Sequence, residues 1–164
     1  MISEIHLNIG SNSGDRRAFI ARAVAALHMA FGITPRVSAE SVSEPWGYDS
    51  DMEFINVGVA LDIERHSPWS PEELEELLST VKRLERGISS MPHRNAAGEY
   101  TDRELDIDII AVDDIMYSSP ALTLPHPHMS ARRFVLEPLA ELAPEWKHPQ
   151  TGLTPAQMIA GLRQ

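Results

Sequence analysis

Two aspartates at alternate positions, Asp106 and Asp108, have the spacing in this chain that most directly suggests chemistry. They lie in RELDIDII (103–110), where Leu105, Ile107 and Ile109 alternate with polar residues, as in a β-strand with one buried face. The period of two predicts that both carboxylates project from the other face, with Cα atoms about 7 Å apart. Carboxylates this close repel each other unless water or a cation separates them. The pair therefore predicts either a solvated strand face or a metal site.

The overall composition limits the range of partners. The chain has 164 residues, a net charge of −10 and no cysteine. This predicts a single domain (1–164) without disulfides or thiolate metal sites, and with no general attraction to nucleic acid or anionic membrane. The first residues, MISEIHLNIGS, contain no basic segment followed by an apolar run, so we expect no signal peptide and no membrane span. Nothing in the sequence points outside the cell, so we expect a cytoplasmic protein, and we expect a monomer with no obligatory protein partner.

The order of predicted elements favours an α+β fold. The predicted elements are a short strand that begins the segment 4–12 and runs into a Gly-Ser-Asn turn, helix 15–31, strand 34–43, strand 54–63, a helix capped at Ser70 that ends near Gly87, strand 103–110, an edge strand in 121–129 that Pro125 stops, helix 130–142 and a last helix capped at Thr154. The first six elements form a β-α-β-β-α-β unit. This is the ferredoxin-like arrangement, in which the helices cover one face of an antiparallel sheet.

Four polar or aromatic residues are predicted to share the opposite face of that sheet. In FINVGVALDI (54–63) the alternate residues from Ile55 to Ile63 form an apolar face, so Phe54 and Asn56 point the other way. The same reasoning places Asp106 and Asp108 away from the helices. An aromatic ring, an amide and two carboxylates are therefore expected to converge on one open surface.

A long segment without periodicity precedes the aspartate strand. Residues 88–102, ISSMPHRNAAGEYTD, read as a polar loop of a length that is often functional. We predict that it is a mobile catalytic loop that closes over bound ligands.

Four segments together resemble a known enzyme family. These segments occur in the order found in 6-hydroxymethyl-7,8-dihydropterin pyrophosphokinase of folate biosynthesis. They are LNIGSN, FINVGVAL, RELDIDII and LPHPHMSARRFVLEPLAELAP. The aspartate strand followed by P-H-x-x-M-x-x-R-x-F-V-L-x-P-L is the most specific part. The resemblance implies transfer of the β,γ-pyrophosphoryl group of ATP to the pterin hydroxymethyl group, with release of AMP. It also implies that Asp106 and Asp108 bind two magnesium ions.

The resemblance assigns roles to further residues. It implies catalytic contacts to phosphates or metal-bound oxygens from Arg103, His126 and Arg132, the last two also binding ATP. The implied pterin-binding residues are Ser43, Trp46, Phe54, Asn56, Tyr100 and Phe134, and the implied nucleotide wall comprises Glu85, Ile109 and Thr123. Considered alone, Phe134 and Phe54 are also compatible with simple packing, Trp46 with a surface anchor and Glu85 with a surface charge.

The chain departs from the family pattern in the long loop. Tyr100 stands where tryptophan is usual and Asp102 where proline is usual, and closely spaced arginines are missing. His93 and Arg94 are candidates for the missing positive charge, and Ala121 replaces a basic residue found in some members. Two other classes of protein remain open from the residues alone: a metal-dependent phosphodiesterase or nuclease, and a non-catalytic binding module on the same scaffold.

Overall fold

The computed structural model describes residues 1–45, 48, 50–90 and 92–162. Its main elements are β1 (Ile2–Ser11), α1 (Arg16–Phe31), β2 (Arg36–Val37), β3 (Ser41–Ser43), β4 (Phe54–Glu64), α2 (Pro71–Ile88), β5 (Asp106–Val112), β6 (Tyr117–Ser118), β7 (Thr123–Leu124), α3 (Arg133–Leu142) and α4 (Pro155–Ala160). The main sheet has the order β2-β4-β1-β5, with β3 also paired to β4, and every pairing is antiparallel. This confirms the predicted ferredoxin-like fold.

The hydrophobic core lies between the sheet and the helices α1 and α2. Alternate residues of β4 and β5, including Val57, Val59 and Ile107, are buried there against Leu77 and Val81 of α2. Helix α2 begins where its sequence predicts. Ser70 accepts a hydrogen bond from the Glu73 N–H, and the Glu73 carboxylate accepts one from the Ser70 N–H. This capping box satisfies two backbone donors that the first turn of a helix leaves unpaired.

The strand register places the polar residues in rows across the second face of the sheet. Gly10 of β1 lies between Asn56 of β4 and Asp106 of β5. In the next row, Asn8 of β1 is paired with Asp108. The predicted convergence of the amide and the two carboxylates is therefore a consequence of strand pairing.

Helix α3 covers only one end of this second face. Its Val135, Leu136 and Leu139 form a separate apolar cluster with Ile110 and Met129. A Cβ atom at Gly58 would lie 2.5 Å from Pro138 Cβ, so the helix contacts the sheet backbone closely there. The other end of the face is left open and forms a cleft.

The predicted strands at the sheet edges were partly wrong. Strand 34–43 is two short strands, β2 and β3, because the Ser38 hydroxyl bonds to the sheet between them: it accepts from the Gly58 N–H at 2.8 Å. The edge strand in 121–129 is β7, which ends before Pro125 as predicted and pairs with the unpredicted strand β6. The turn predicted at Gly10 and Ser11 was wrong, because both residues still belong to β1. The helix predicted over 130–142 starts as a 3₁₀ turn, Met129–Ala131, before α3. Among the described residues, no helix is long and apolar enough to cross a membrane.

Candidate active site

The open end of the second sheet face is a cleft of about 280 Å³. Residues from β1, β3, β4, β5, α2, α3 and the long loop line it. They include eight of the residues predicted from the sequence to bind substrate or take part in catalysis: Ser43, Phe54, Asn56, Tyr100, Arg103, Asp106, Asp108 and Phe134. His126 and Arg132 also line it, so the structure brings ten of the predicted residues together.

The two aspartates lie side by side at the floor of the cleft. Asp106 Oδ2 accepts a hydrogen bond from Arg103 Nη1 at 2.8 Å. Burial, together with the negative charge of Asp106, raises the pKa of Asp108 to about 7. The shift means that two ionised carboxylates are costly here, and a divalent cation would remove that cost. Carboxylate oxygens are also the donors that Mg²⁺ prefers, so this pair fits magnesium.

Side chains of α2 and the long loop bond to the backbone of the aspartate strand and of the residue before it. The Glu85 carboxylate, 6% exposed, accepts from the Ile107 N–H at 2.9 Å. His93 Nε2 lies 2.9 Å from the Leu105 carbonyl oxygen and 3.2 Å from Glu85 Oε1. Glu85 does not line the cleft, so the structure shows it holding β5, and its predicted contact with nucleotide stays a prediction. His93, by contrast, lines the cleft and ties the long loop to the strand.

An aromatic and amide surface forms the opposite wall. Asn56 Nδ2 donates to Ser43 Oγ at 2.8 Å, which fixes the amide beside β3. The backbone carbonyl of Phe134 accepts from Asn8 Nδ2 at 3.0 Å, and this anchors the start of α3 above the sheet. Phe54 is 9% exposed and Phe134 is partly buried, and both line the cleft. This wall has the shape and chemistry for a flat heterocycle with polar edges.

A second depression of about 250 Å³ adjoins the cleft. The predicted nucleotide residues Ile109 and Thr123 line it, together with Lys82, Asp108 and Ala121. Asp108, Lys82 and His126 line both spaces. The carboxylate pair is therefore located where the two depressions meet.

Burial keeps His126 uncharged at neutral pH. Withdrawal from water, and then the charge of Arg132, lower the pKa of His126 to about 4. Its Nδ1 accepts from the His128 N–H at 3.1 Å, so the proton of the neutral ring is on Nε2. His126 can therefore donate one hydrogen bond to an anionic ligand, but the positive charge must come from elsewhere. Arg132 lines the cleft beside Phe134, with its guanidinium carbon 5.6 Å from the ring centre.

The long loop is folded over one side of the cleft. Arg94 and Tyr100 form an isolated β-bridge, and the turn between them is closed by a hydrogen bond from the Asn95 N–H to the Glu99 carbonyl. The Arg94 guanidinium lies 4.0 Å from the centre of the Tyr100 ring, and that of Arg103 lies 5.1 Å away. Two arginines thus lie near the ring of Tyr100. Closure and opening of the loop remain a prediction.

Asn12 connects the two loops that border the cleft, and the sequence reading did not assign it a role. It is fully buried, and its Nδ2 lies 2.8 Å from Tyr48 Oη and 2.9 Å from Asp102 Oδ1. Its Oδ1 accepts from the Arg103 N–H at 2.8 Å. Its place at the end of LNIGSN is a signal in the sequence, but that signal does not specify these contacts. The cleft is also lined by Lys82, His93, Tyr48 and Gly10, none of which was assigned a binding role in the prediction.

Trp46 was predicted to bind pterin, but it lies outside the described residues.

Comparison with known proteins identifies the family. A family model described as 7,8-dihydro-6-hydroxymethylpterin-pyrophosphokinase matches residues 6–144. This chain belongs to that family. The resemblance found in the sequence motifs is thereby confirmed.

Relatives of the pyrophosphokinase family match over most of the chain. The 2-amino-4-hydroxy-6-hydroxymethyldihydropteridine pyrophosphokinase of Porphyromonas gingivalis is 36% identical over 147 residues, which cover 89% of this chain and 94% of the relative. The protein of the same name from Methylorubrum extorquens is 36% identical over 148 residues, covering 88% and 85%. The corresponding Bacillus subtilis protein is 33% identical over 138 residues, covering 84% and 76%.

Solved structures support the same pyrophosphokinase fold. The crystal structure of wild-type Plasmodium falciparum HPPK-DHPS matches 98% of this chain with a TM-score of 0.60 and 13% identity. This chain spans 44% of the length of that protein. At this identity the match establishes the fold alone.

Proposed function

We propose that this chain transfers the β,γ-pyrophosphoryl group of ATP to the hydroxymethyl group of 6-hydroxymethyl-7,8-dihydropterin and releases AMP. The observation that carries the proposal is the meeting of Asp106 and Asp108 with Phe134 and the Asn56–Ser43 pair in one cleft. Carboxylates suit metal-bound phosphates, and an aromatic ring beside a fixed amide suits a pterin. Membership of the pyrophosphokinase family supports the same reaction.

The two depressions divide the substrates between them. We assign the wall formed by Phe134, Phe54 and Asn56 to the pterin, and the depression lined by Ile109 and Thr123 to adenosine. The triphosphate then crosses the junction where Asp108 lies. This arrangement brings the pterin hydroxyl and the β-phosphorus together, which is the main way in which an enzyme accelerates a two-substrate transfer.

Asp106 and Asp108 would hold two Mg²⁺ ions, which when bound supply charge neutralisation for the transferring group. Arg103 holds Asp106 Oδ2 and so fixes the orientation of that carboxylate. Arg132, the residue before α3, adds positive charge, and His126 donates from Nε2 as a neutral group. Charge-assisted hydrogen bonds of this kind are the strongest available to stabilise phosphate oxygens.

The long loop has the position to keep water out of the reaction. Tyr100, Arg94 and His93 all line the cleft from this one segment. Excluding water protects an activated pyrophosphoryl group from hydrolysis, as closing loops do in other transferases.

A product assay tests the proposal directly. The protein is incubated with ATP, Mg²⁺ and the hydroxymethyl dihydropterin, and the nucleotide products are separated. AMP formed only in the presence of the pterin supports the proposal. ADP in place of AMP, or no AMP from folded protein, contradicts it.

The same assay separates the alternatives. A phosphodiesterase would release product from a nucleic-acid or cyclic substrate without any pterin, and a binding module would form no product. The net charge of −10 disfavours a nuclease. As part of this proposal the chain acts in the cytoplasm, where ATP is available as the co-substrate, and it acts as a monomer. Gel filtration at assay concentration tests the monomer.

A further inference from the structure

We propose that Lys82 binds the nucleotide phosphate that lies at the junction of the two depressions, the α-phosphate that leaves as AMP. The inference rests on the proposed function and extends it to a residue that the sequence motifs did not single out. Lys82 lines both the cleft and the adjoining depression, and of the described residues around the two spaces only Asp108 and His126 do the same. A triphosphate that passes from one to the other must therefore pass the Lys82 ammonium.

The present contacts of Lys82 leave capacity for a ligand. Its Nζ donates to the Ile107 carbonyl at 3.2 Å and lies 3.6 Å from Glu85 Oε2. The side chain is 36% exposed. An ammonium group has three protons, so it can keep the bond to Ile107 and still donate to phosphate oxygens.

The charge around Lys82 also favours this role. Asp106, Asp108 and Glu85 place three carboxylates near the junction, and the triphosphate adds further negative charge. Arg103 is already paired with Asp106, on the cleft side. Around the adjoining depression, Lys82 is the one Lys or Arg among the described lining residues. It is therefore the cation placed to meet the phosphate nearest the adenosine.

A purely structural role is the competing explanation. Ile107 belongs to β5, the edge strand of the main sheet, and its outward N–H and C=O are covered by Glu85 and Lys82 of α2. If Lys82 only protects this edge, its loss will lower the stability of the protein without affecting phosphate binding in particular.

The test compares probes with and without phosphate in three variants. Lys82→Met removes the charge and keeps the stem, Lys82→Arg keeps the charge, and Arg83→Met removes an exposed neighbouring cation of α2 as a matched control. Binding of Mg²⁺ with α,β-methylene-ATP, of AMP and of adenosine is measured by calorimetry. Circular dichroism and thermal unfolding verify that each variant is folded.

We expect Lys82→Met to weaken binding of AMP and the ATP analogue about tenfold and adenosine by less than about twofold, because one charged hydrogen bond is lost. Lys82→Arg and Arg83→Met should both bind like the wild type. Added salt should weaken the binding of AMP and the ATP analogue to the wild type, and this salt dependence should be smaller in Lys82→Met.

Two results would overturn the assignment. Unchanged AMP and analogue affinity in Lys82→Met would mean that the lysine does not contact phosphate. Equal loss for adenosine and AMP would mean that the variant has distorted the depression. Failure of the proposed function is a separate outcome, because in that case the wild type itself would bind neither the analogue nor AMP.

Discussion

Gly10 of β1 lies directly opposite Asn56 of β4, and a Cβ atom at position 10 would come within 2.8 Å of Asn56 Oδ1. The same atom would lie 3.3 Å from Phe54 Cδ1. Gly10 therefore leaves space for Asn56 and Phe54, two of the three side chains in the wall that we assign to the pterin. The glycine is needed for close approach of side chains, and it needs no unusual backbone angle.

We predict that Gly10→Ala weakens pterin binding about tenfold or more, because Asn56 must leave its position next to Ser43. Nucleotide affinity should change little, since Gly10 does not line the adjoining depression. Gly87→Ala in α2 is the control, because nothing lies within 4 Å of a Cβ there. Fluorescence titration with the pterin measures the effect. Wild-type pterin affinity in Gly10→Ala would show that the wall adapts to the added methyl group.

A second prediction concerns the carboxylate pair. Asp106→Ala and Asp108→Ala should each abolish turnover, because a single carboxylate cannot hold both magnesium ions. Activity within about tenfold of wild type in either variant would contradict the metal site. Asp114→Ala, in the turn after β5, is a control that should keep full activity.

The raised pKa of Asp108 predicts a specific effect on stability. The pKa of Asp108 is about 7 in the folded protein, whereas its ordinary value is 3.8. Because the folded protein holds this proton more tightly than the unfolded chain does, the metal-free fold loses stability as pH rises through 7. Asp108→Asn should therefore stabilise the metal-free protein at pH 8 by about 1–3 kcal/mol, with no gain below pH 4. Urea unfolding at both pH values, in the presence of a chelator, measures this difference. An equal effect of the substitution at pH 4 and pH 8 would exclude ionisation as its cause.

Because His6 is buried, we predict that the folded protein loses stability in mild acid. Burial, together with the charge of Arg36, lowers the pKa of His6 from 6.5 to about 4, and the ring is 2% exposed. The unfolded state binds the proton first, so stability is full above pH 6.5 and is lost as pH falls towards 4. The loss should reach about 2–3 kcal/mol.

His6→Leu should flatten the stability profile between pH 6.5 and 4, whereas His66→Gln, at an exposed position, should leave it unchanged. Chemical unfolding across this range makes the comparison. A His6→Leu profile as steep as that of the wild type would assign the acid sensitivity to other groups.

A further prediction is that Phe134 contributes to the binding of pterin and not to the binding of ATP. Phe134→Ala should weaken pterin binding by about 1–3 kcal/mol, the range for stacking of a base on an aromatic side chain, and should leave ATP binding nearly unchanged. Calorimetry with each ligand measures the two effects. Equal losses would mean that Phe134 supports the packing of α3 and does not contact pterin.

We also predict that ligand binding lowers the protease sensitivity of the long loop. Residues 88–102 should be cleaved in the free protein and protected only when pterin and an ATP analogue with Mg²⁺ are both bound, because Arg94 and Tyr100 line the shared cleft. Deleting 93–99 should lower kcat far more than it weakens ATP binding. Equal protection with and without ligands would identify a static insertion.

The sequence by itself determined the elements whose residues repeat with a regular period. Alternation along β4 and β5 assigned each side chain to a face, because neighbouring Cβ atoms of a strand point in opposite directions. The pair Asp106 and Asp108 could be singled out as a candidate metal site from spacing and motif, and the start of α2 could be predicted from the Ser70 capping box. These signals are local, so they can be read without knowing the fold.

Only the tertiary structure decided which residues complete the site. Lys82 occupies a polar position of a helix whose pattern reports only its buried side, and its contact with Ile107 depends on how α2 packs against β5. Asn12 is buried because two distant loops converge on it. Strands as short as β2 and β6 have too few residues to show any period. In each case the deciding contact joins segments far apart in the chain, and the sequence near one residue does not specify its distant partner.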